Sequence, residues 1–121
     1  MSNQIQSQIQ TQTIANSLKQ IPGGDLVSWL ETQLSAEDFE ISCNYILETI
    51  ISQLLAICDE PTQMKMNEFL EKDEFENFFG NLGDLLDEKN PNCMIFRYQL
   101  LDAVQLGFEV MVAKYKLDID K

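Results

Sequence analysis

The chain of 121 residues contains no histidine and a single arginine, Arg97. The first absence removes the usual general base, the usual zinc ligand and the Glu-x-x-His pair of di-iron bundles. It also leaves any cysteine nucleophile without an imidazole to activate it. The second excludes a phosphate clamp assembled from arginines. The motifs G-x-x-x-x-G-K-[ST], G-x-G-x-x-G and G-x-S-x-G do not occur. The expectation is therefore a protein without enzymatic activity, cofactor or metal.

Cysteine is scarce and odd in number: Cys43, Cys58 and Cys93, with no C-x-x-C pair. On one helix, Cys43 and Cys58 would lie about 22 Å apart, too far to bridge. Each cysteine has apolar neighbours, so buried reduced thiols are expected, as in a cytoplasmic protein. The opening residues MSNQIQSQIQ lack the basic start and apolar core of a secretion signal. Long apolar runs are also missing. The richest window, Ile41–Cys58, is interrupted by Asn44, Glu48 and Ser52, so no membrane span is expected. No Asn-Gly or Asp-Gly hairpin signal appears.

Positive charge is in short supply as well. Eight Lys and Arg face 20 Asp and Glu, for a net charge of −12. Such a chain is repelled by DNA, RNA and anionic lipid, and it suits a basic protein partner. The acidity is concentrated. Residues 59–88 carry ten acids against Lys65 and Lys72, which places −8 of the total in that stretch. The same residues include Phe69, Phe75, Phe78 and Phe79, four of the seven phenylalanines. A calcium loop does not fit, because Asp84-Leu85-Leu86-Asp87 puts leucines where an EF-hand needs oxygen ligands. Glu68 with Glu71, and Glu37 with Glu40, read most simply as solvated faces.

An apolar content of 45% and this length predict one core in one domain. Residues 1–12 read as a mobile Gln-rich lead, and 13–121 as a single helical domain. A helix is expected to firm up over 13–20, ahead of a break at Pro22-Gly23-Gly24. Asp25 is expected to cap a short helix bearing Leu26, Val27, Trp29, Leu30 and Leu34, with Trp29 as a core anchor. Ser35-Ala36-Glu37-Asp38 resembles a capping box. Beyond it, Phe39, Cys43, Ile46, Ile50, Leu54 and Ile57 form one apolar row. Leu47, Ile51, Leu55 and Cys58 form a second beside it.

Asp59-Glu60-Pro61 signals the next helix start. Gly80 and Gly83 suggest a break, followed by a short helix around Asp84–Glu88. Asn90-Pro91 repeats the cap-plus-proline signal, and Met94, Tyr98, Leu101, Val104, Phe108, Met111 and Tyr115 mark the apolar face of a last long helix. The fold these patterns predict is all-α, a compact bundle of four to six helices. Its two long central helices lie at about 36–58 and 92–117.

The leading functional expectation is a regulatory or assembly protein that contacts a basic partner. The contact residues would be Glu68, Glu71, Asp73, Glu74, Phe75, Glu76, Phe78 and Phe79. Two adjacent phenylalanines cannot both point into one core from one helix face, so one of Phe78 and Phe79 is free to serve a neighbouring helix or a partner. A sharper form is an inhibitor or immunity-type protein that mimics nucleic-acid charge. The alternatives are a helical homodimer, and a bundle that binds an apolar ligand among Met64, Met66, Met94 and Met111.

Overall fold

The computed structural model describes residues 12–118, all helix and connecting turn with no strand among them. Six helices follow one another. They are a helical segment over 12–18 (α1), Gly24–Gln33 (α2), Ala36–Leu55 (α3), Glu60–Glu71 (α4), Phe75–Leu86 (α5) and Cys93–Tyr115 (α6). The architecture is thus the expected bundle with two long helices at its centre. Apart from Gln12, which opens α1, the Gln-rich lead lies outside the described residues.

The long helices α3 and α6 run antiparallel and pack along their length. Ile46 lies against Gly107, where a side chain on the glycine would meet Ile46 Cγ1 at 2.9 Å. Seven residues further along α3, Gln53 accepts a hydrogen bond from Gln99 at 3.3 Å. Around this pair lies one cluster of buried side chains. It includes Leu18 of α1, Val27 and Leu30 of α2, Met66 of α4, and Phe78 and Leu82 of α5. Trp29 packs edge-on against Phe108 with ring centroids 5.7 Å apart, as an anchor between α2 and α6 should.

The helix starts divide according to how local their signals are. Ser35 Oγ accepts from the Asp38 amide at 3.2 Å, and Asp59 Oδ1 from the Thr62 amide at 3.0 Å, as the sequence predicts. Pro61 sits in the first turn of α4, where a missing amide hydrogen costs nothing. Asp25, however, does not cap α2. Gly23 occupies the cap position in a left-handed conformation, φ 89°, and Asp25 lies inside the first turn. Gly24 is pressed against the backbone of Lys19, so this turn admits no side chain at either glycine. Asn90 likewise does not open α6. It closes a turn by accepting from the Asn92 amide at 2.9 Å, and the helix begins at Cys93.

Three further expectations change. Helix α5 is continuous through Gly80 and Gly83, and no separate helix forms at Asp84–Glu88. Both glycines face open space, so nothing forces the chain to turn there. Helix α3 ends at Leu55, which leaves Ile57 in the following turn and exposed. Gln63 then donates to the carbonyl of Cys58 at 3.1 Å and to that of Leu55, which also accepts from the Cys58 amide at 3.2 Å in the turn that follows the helix.

The buried face of α6 consists of Phe96, Leu100, Ala103, Val104, Gly107, Phe108 and Met111. The predicted row holds from Val104 onward. Met94, Tyr98 and Leu101 instead point outward. The first half of α6 is apolar on nearly every side, so spacing alone does not select the buried face.

Candidate functional site

The acidic stretch folds into the hairpin α4–α5, joined by a tight turn at Lys72–Glu74. Helix α4 closes with a complete Schellman motif. The Glu74 amide donates to the Phe69 carbonyl at 2.8 Å and the Asp73 amide to that of Leu70 at 3.2 Å. The motif requires a left-handed residue at the corner, and here it is Asp73, φ 57°, rather than glycine. A carboxylate therefore projects from the apex of the hairpin at a position where glycine is the less strained choice.

The predicted contact residues do not share one environment. Glu68, Glu71, Asp73 and Glu76 are exposed, and Glu74 is half-buried, accepting from Asn77 Nδ2 at 3.1 Å. Glu68 pairs with Lys72 at 2.7 Å, an i,i+4 bridge between two exposed side chains. The hydrogen bond from Lys72 draws the Glu68 carboxyl below its ordinary range, and the same bond raises the Lys72 ammonium. This is the one ion pair among residues 59–88. A pair so exposed adds little stability and leaves the surface strongly negative.

The phenylalanines separate by helix phase. Phe78 is wholly buried and belongs to the core, so it is not available to a partner at the surface. Phe79 packs edge-on against it, with centroids 5.4 Å apart and planes 87° apart, and remains half-buried. Phe69 and Phe75 are also half-buried and rest on the core. The apolar residue that the sequence reading overlooked at this site is Met64. It is 66% exposed and lies one helical turn before Glu68 on the outer side of α4. The missed signal was its i,i+4 spacing to Glu68.

The four methionines considered as a ligand lining do not gather. Met66 and Met111 are buried in the core, whereas Met64 and Met94 are exposed. Cys43 and Cys58 are buried free thiols and Cys93 is half-buried. Burial pushes the Cys43 thiol up to about 12 and raises that of Cys58. Among the described residues, no three Cys, Asp or Glu side chains form a group able to hold a metal ion. No helix among them is long and apolar enough to cross a membrane. No protein-family model, curated protein or solved structure matches the chain.

Proposed function

We propose that this chain is a non-enzymatic protein-interaction module, regulatory or assembling in role, that docks a basic partner on the α4–α5 hairpin. The observation that carries this reading is the density of exposed, unneutralised carboxylates around one tight corner: Glu71, Asp73 and Glu76, with Glu68 paired alongside. Solubility does not require such crowding, because like charges so close together weaken the hairpin that holds them. The aspartate at the left-handed corner supports the same reading. It keeps a charge where glycine would relieve about 1 kcal/mol of backbone strain.

Charge steers the encounter, and the half-exposed edges of Phe75 and Phe79, with Met64, supply apolar contact at the rim. Inhibition of a nucleic-acid-binding protein by charge mimicry is the sharper form of this function.

The test compares basic proteins captured from host lysate by the wild-type chain with those captured by a variant carrying Glu71→Lys, Asp73→Asn and Glu76→Lys. All three positions are exposed, and asparagine tolerates the corner conformation, so the variant folds. Capture by the wild type should fall steeply between low and high salt, and the variant should lose it. Asp73→Gly should raise the melting temperature while weakening capture. Equal capture by both proteins at low salt would show the acidic hairpin to be only a solvated surface.

A further inference from the structure

We infer that α4 is a releasable strap: it lifts off the bundle as one unit, unwinding as it does so, while α3, α5 and α6 stay packed. Helices α4 and α5 have the same length, 12 residues each, but they are held unequally. Helix α5 buries Phe78, Leu82 and Leu86 and packs against both α4 and α6. The Arg97 guanidinium ties its end to α6 by donating to the Leu86 carbonyl at 3.0 Å. Helix α4 buries Met66 alone and packs chiefly against α5. Its other apolar side chains reach the core less completely: Phe69 and Leu70 are half-buried, and Met64 stands in water.

Polar contacts add one fastening. Gln63 Nε2 donates to the carbonyls of Leu55 and Cys58, which clips the first turn of α4 over the turn that ends α3. The ion pair of Glu68 with Lys72 joins α4 only to its own cap residue. At the far end, Glu71, Asp73, Glu74 and Glu76 crowd the corner and repel one another. Asp73 is held in the left-handed region, φ 57°, only while that corner is closed, so opening relieves its strain. One buried side chain and one clip thus hold the whole helix. A segment with so few buried contacts opens at a lower free energy than the core. A helix this short does not keep its shape in water once parted from its packing surface, so lifting and unwinding are one event.

Release uncovers the apolar floor on which Met66, Phe69 and Leu70 rest. It also frees the turn that carries Cys58, a buried thiol that donates to the Leu54 carbonyl at 3.4 Å. The closed strap presents an acidic corner, and the released one an apolar surface. Cys58 therefore reports the strap, whereas Cys43, 1% exposed in the middle of α3, reports the packing around the long helices. The inference does not rest on the proposed function. Its test needs no partner, so partner capture and strap release succeed or fail separately.

The experiment is thiol labelling of the native full chain, each cysteine read by peptide mass spectrometry, with the reagent dilute enough that reclosing outpaces labelling. Cys58 should be labelled faster than Cys43 and with a shallower dependence on urea, because release exposes far less surface than unfolding. Gln63→Ala should speed Cys58 labelling roughly tenfold through the lost clip. Met66→Ala should speed it by roughly thirtyfold or more. Val27→Ala, wholly buried in α2 away from the strap, should speed Cys43 labelling roughly tenfold and leave that of Cys58 unchanged. Amide hydrogen exchange on the wild type supplies a reading that no variant can spoil by failing to fold. The amides of 64–71 should exchange together, well ahead of those of 79–86.

Exchange of both segments at one rate overturns the inference. So does a Cys58 that is labelled as slowly and as steeply in urea as Cys43, or one that Val27→Ala speeds as much as it speeds Cys43. Labelling of Cys58 that quickens in Gln63→Ala but not in folded Met66→Ala would mean that only the turn after α3 frays, and it overturns the strap equally.

Discussion

Three helical glycines offer a test with opposite expected signs. Gly80 and Gly83 lie within α5 on its exposed side, and a Cβ added at either would meet no atom within 4 Å. Glycine costs an exposed helix interior roughly 0.5–1 kcal/mol relative to alanine. Gly80→Ala with Gly83→Ala should therefore stabilise the protein by about 1–2 kcal/mol. For a chain of this length, 1 kcal/mol corresponds to about 4 °C, so the double variant should melt about 4–8 °C higher. Gly107 sits in α6 but faces α3. Its added Cβ would lie 2.9 Å from Ile46 Cγ1 and 3.2 Å from Ile46 Cα. The side-chain atom can rotate away, but the backbone atom cannot. The two longest helices must separate by a few tenths of an ångström, at an overpacking cost of about 1–3 kcal/mol. That exceeds the propensity gain, so Gly107→Ala should lower the melting temperature. The assay is thermal unfolding followed by circular dichroism, with calorimetry to check two-state behaviour. A lower melting point for the α5 double variant would mean that the chain breaks at Gly80 and Gly83 after all. A rise for Gly107→Ala matching that of Gly80→Ala would mean that α3 and α6 do not approach closely at Ile46.

Two further outcomes follow from burial. Ile50→Asp should unfold the protein whereas Glu48→Lys is tolerated, because Ile50 is wholly buried and Glu48 is exposed. An unpaired carboxylate in the core costs several kcal/mol, a large share of a typical stability of about 5–15 kcal/mol; equal melting temperatures for the two variants would place α3 in the wrong rotation. Thiol titration of the native protein should show Cys93 reacting ahead of Cys43 and Cys58. Burial raises the folded Cys43 thiol from 9.0 to about 12, so its contribution to stability is complete below pH 9 and is lost as pH rises toward 12. Cys43→Ala should flatten the fall in stability over that window, and an unchanged slope, or a Cys43 that reacts as fast as Cys93, would refute the assigned burial.

Much of the fold was legible because its signals act over a few residues. The Ser35 and Asp59 caps each close a hydrogen bond three residues away, and the chain between is too short to offer a competing partner. The apolar rows of α3 are equally plain, since Asn44, Glu48 and Ser52 leave one side of the helix for water. The acids of the candidate site were placed on the surface by their own cost of burial, and Glu68, Glu71, Asp73 and Glu76 are found there.

What remained undecided depended on neighbours distant in sequence. The first half of α6 offers apolar residues all round. Packing against α3 chose Phe96 and Leu100 for the core and left Met94 and Tyr98 outside. Phe78 and Phe79 are chemically identical and adjacent, and the rotation of α5 against the bundle buried the first and only half-covered the second. Gly24 admits no side chain because the Lys19 backbone lies against it, whereas Gly80, the same residue in open space, leaves its helix unbroken. Composition and periodicity determined that this is an acidic bundle of helices. Which apolar side chains reach its core, and which stand on its surface, was decided by the contacts among helices. Burial depends on the position of every element at once, and no local spacing encodes that.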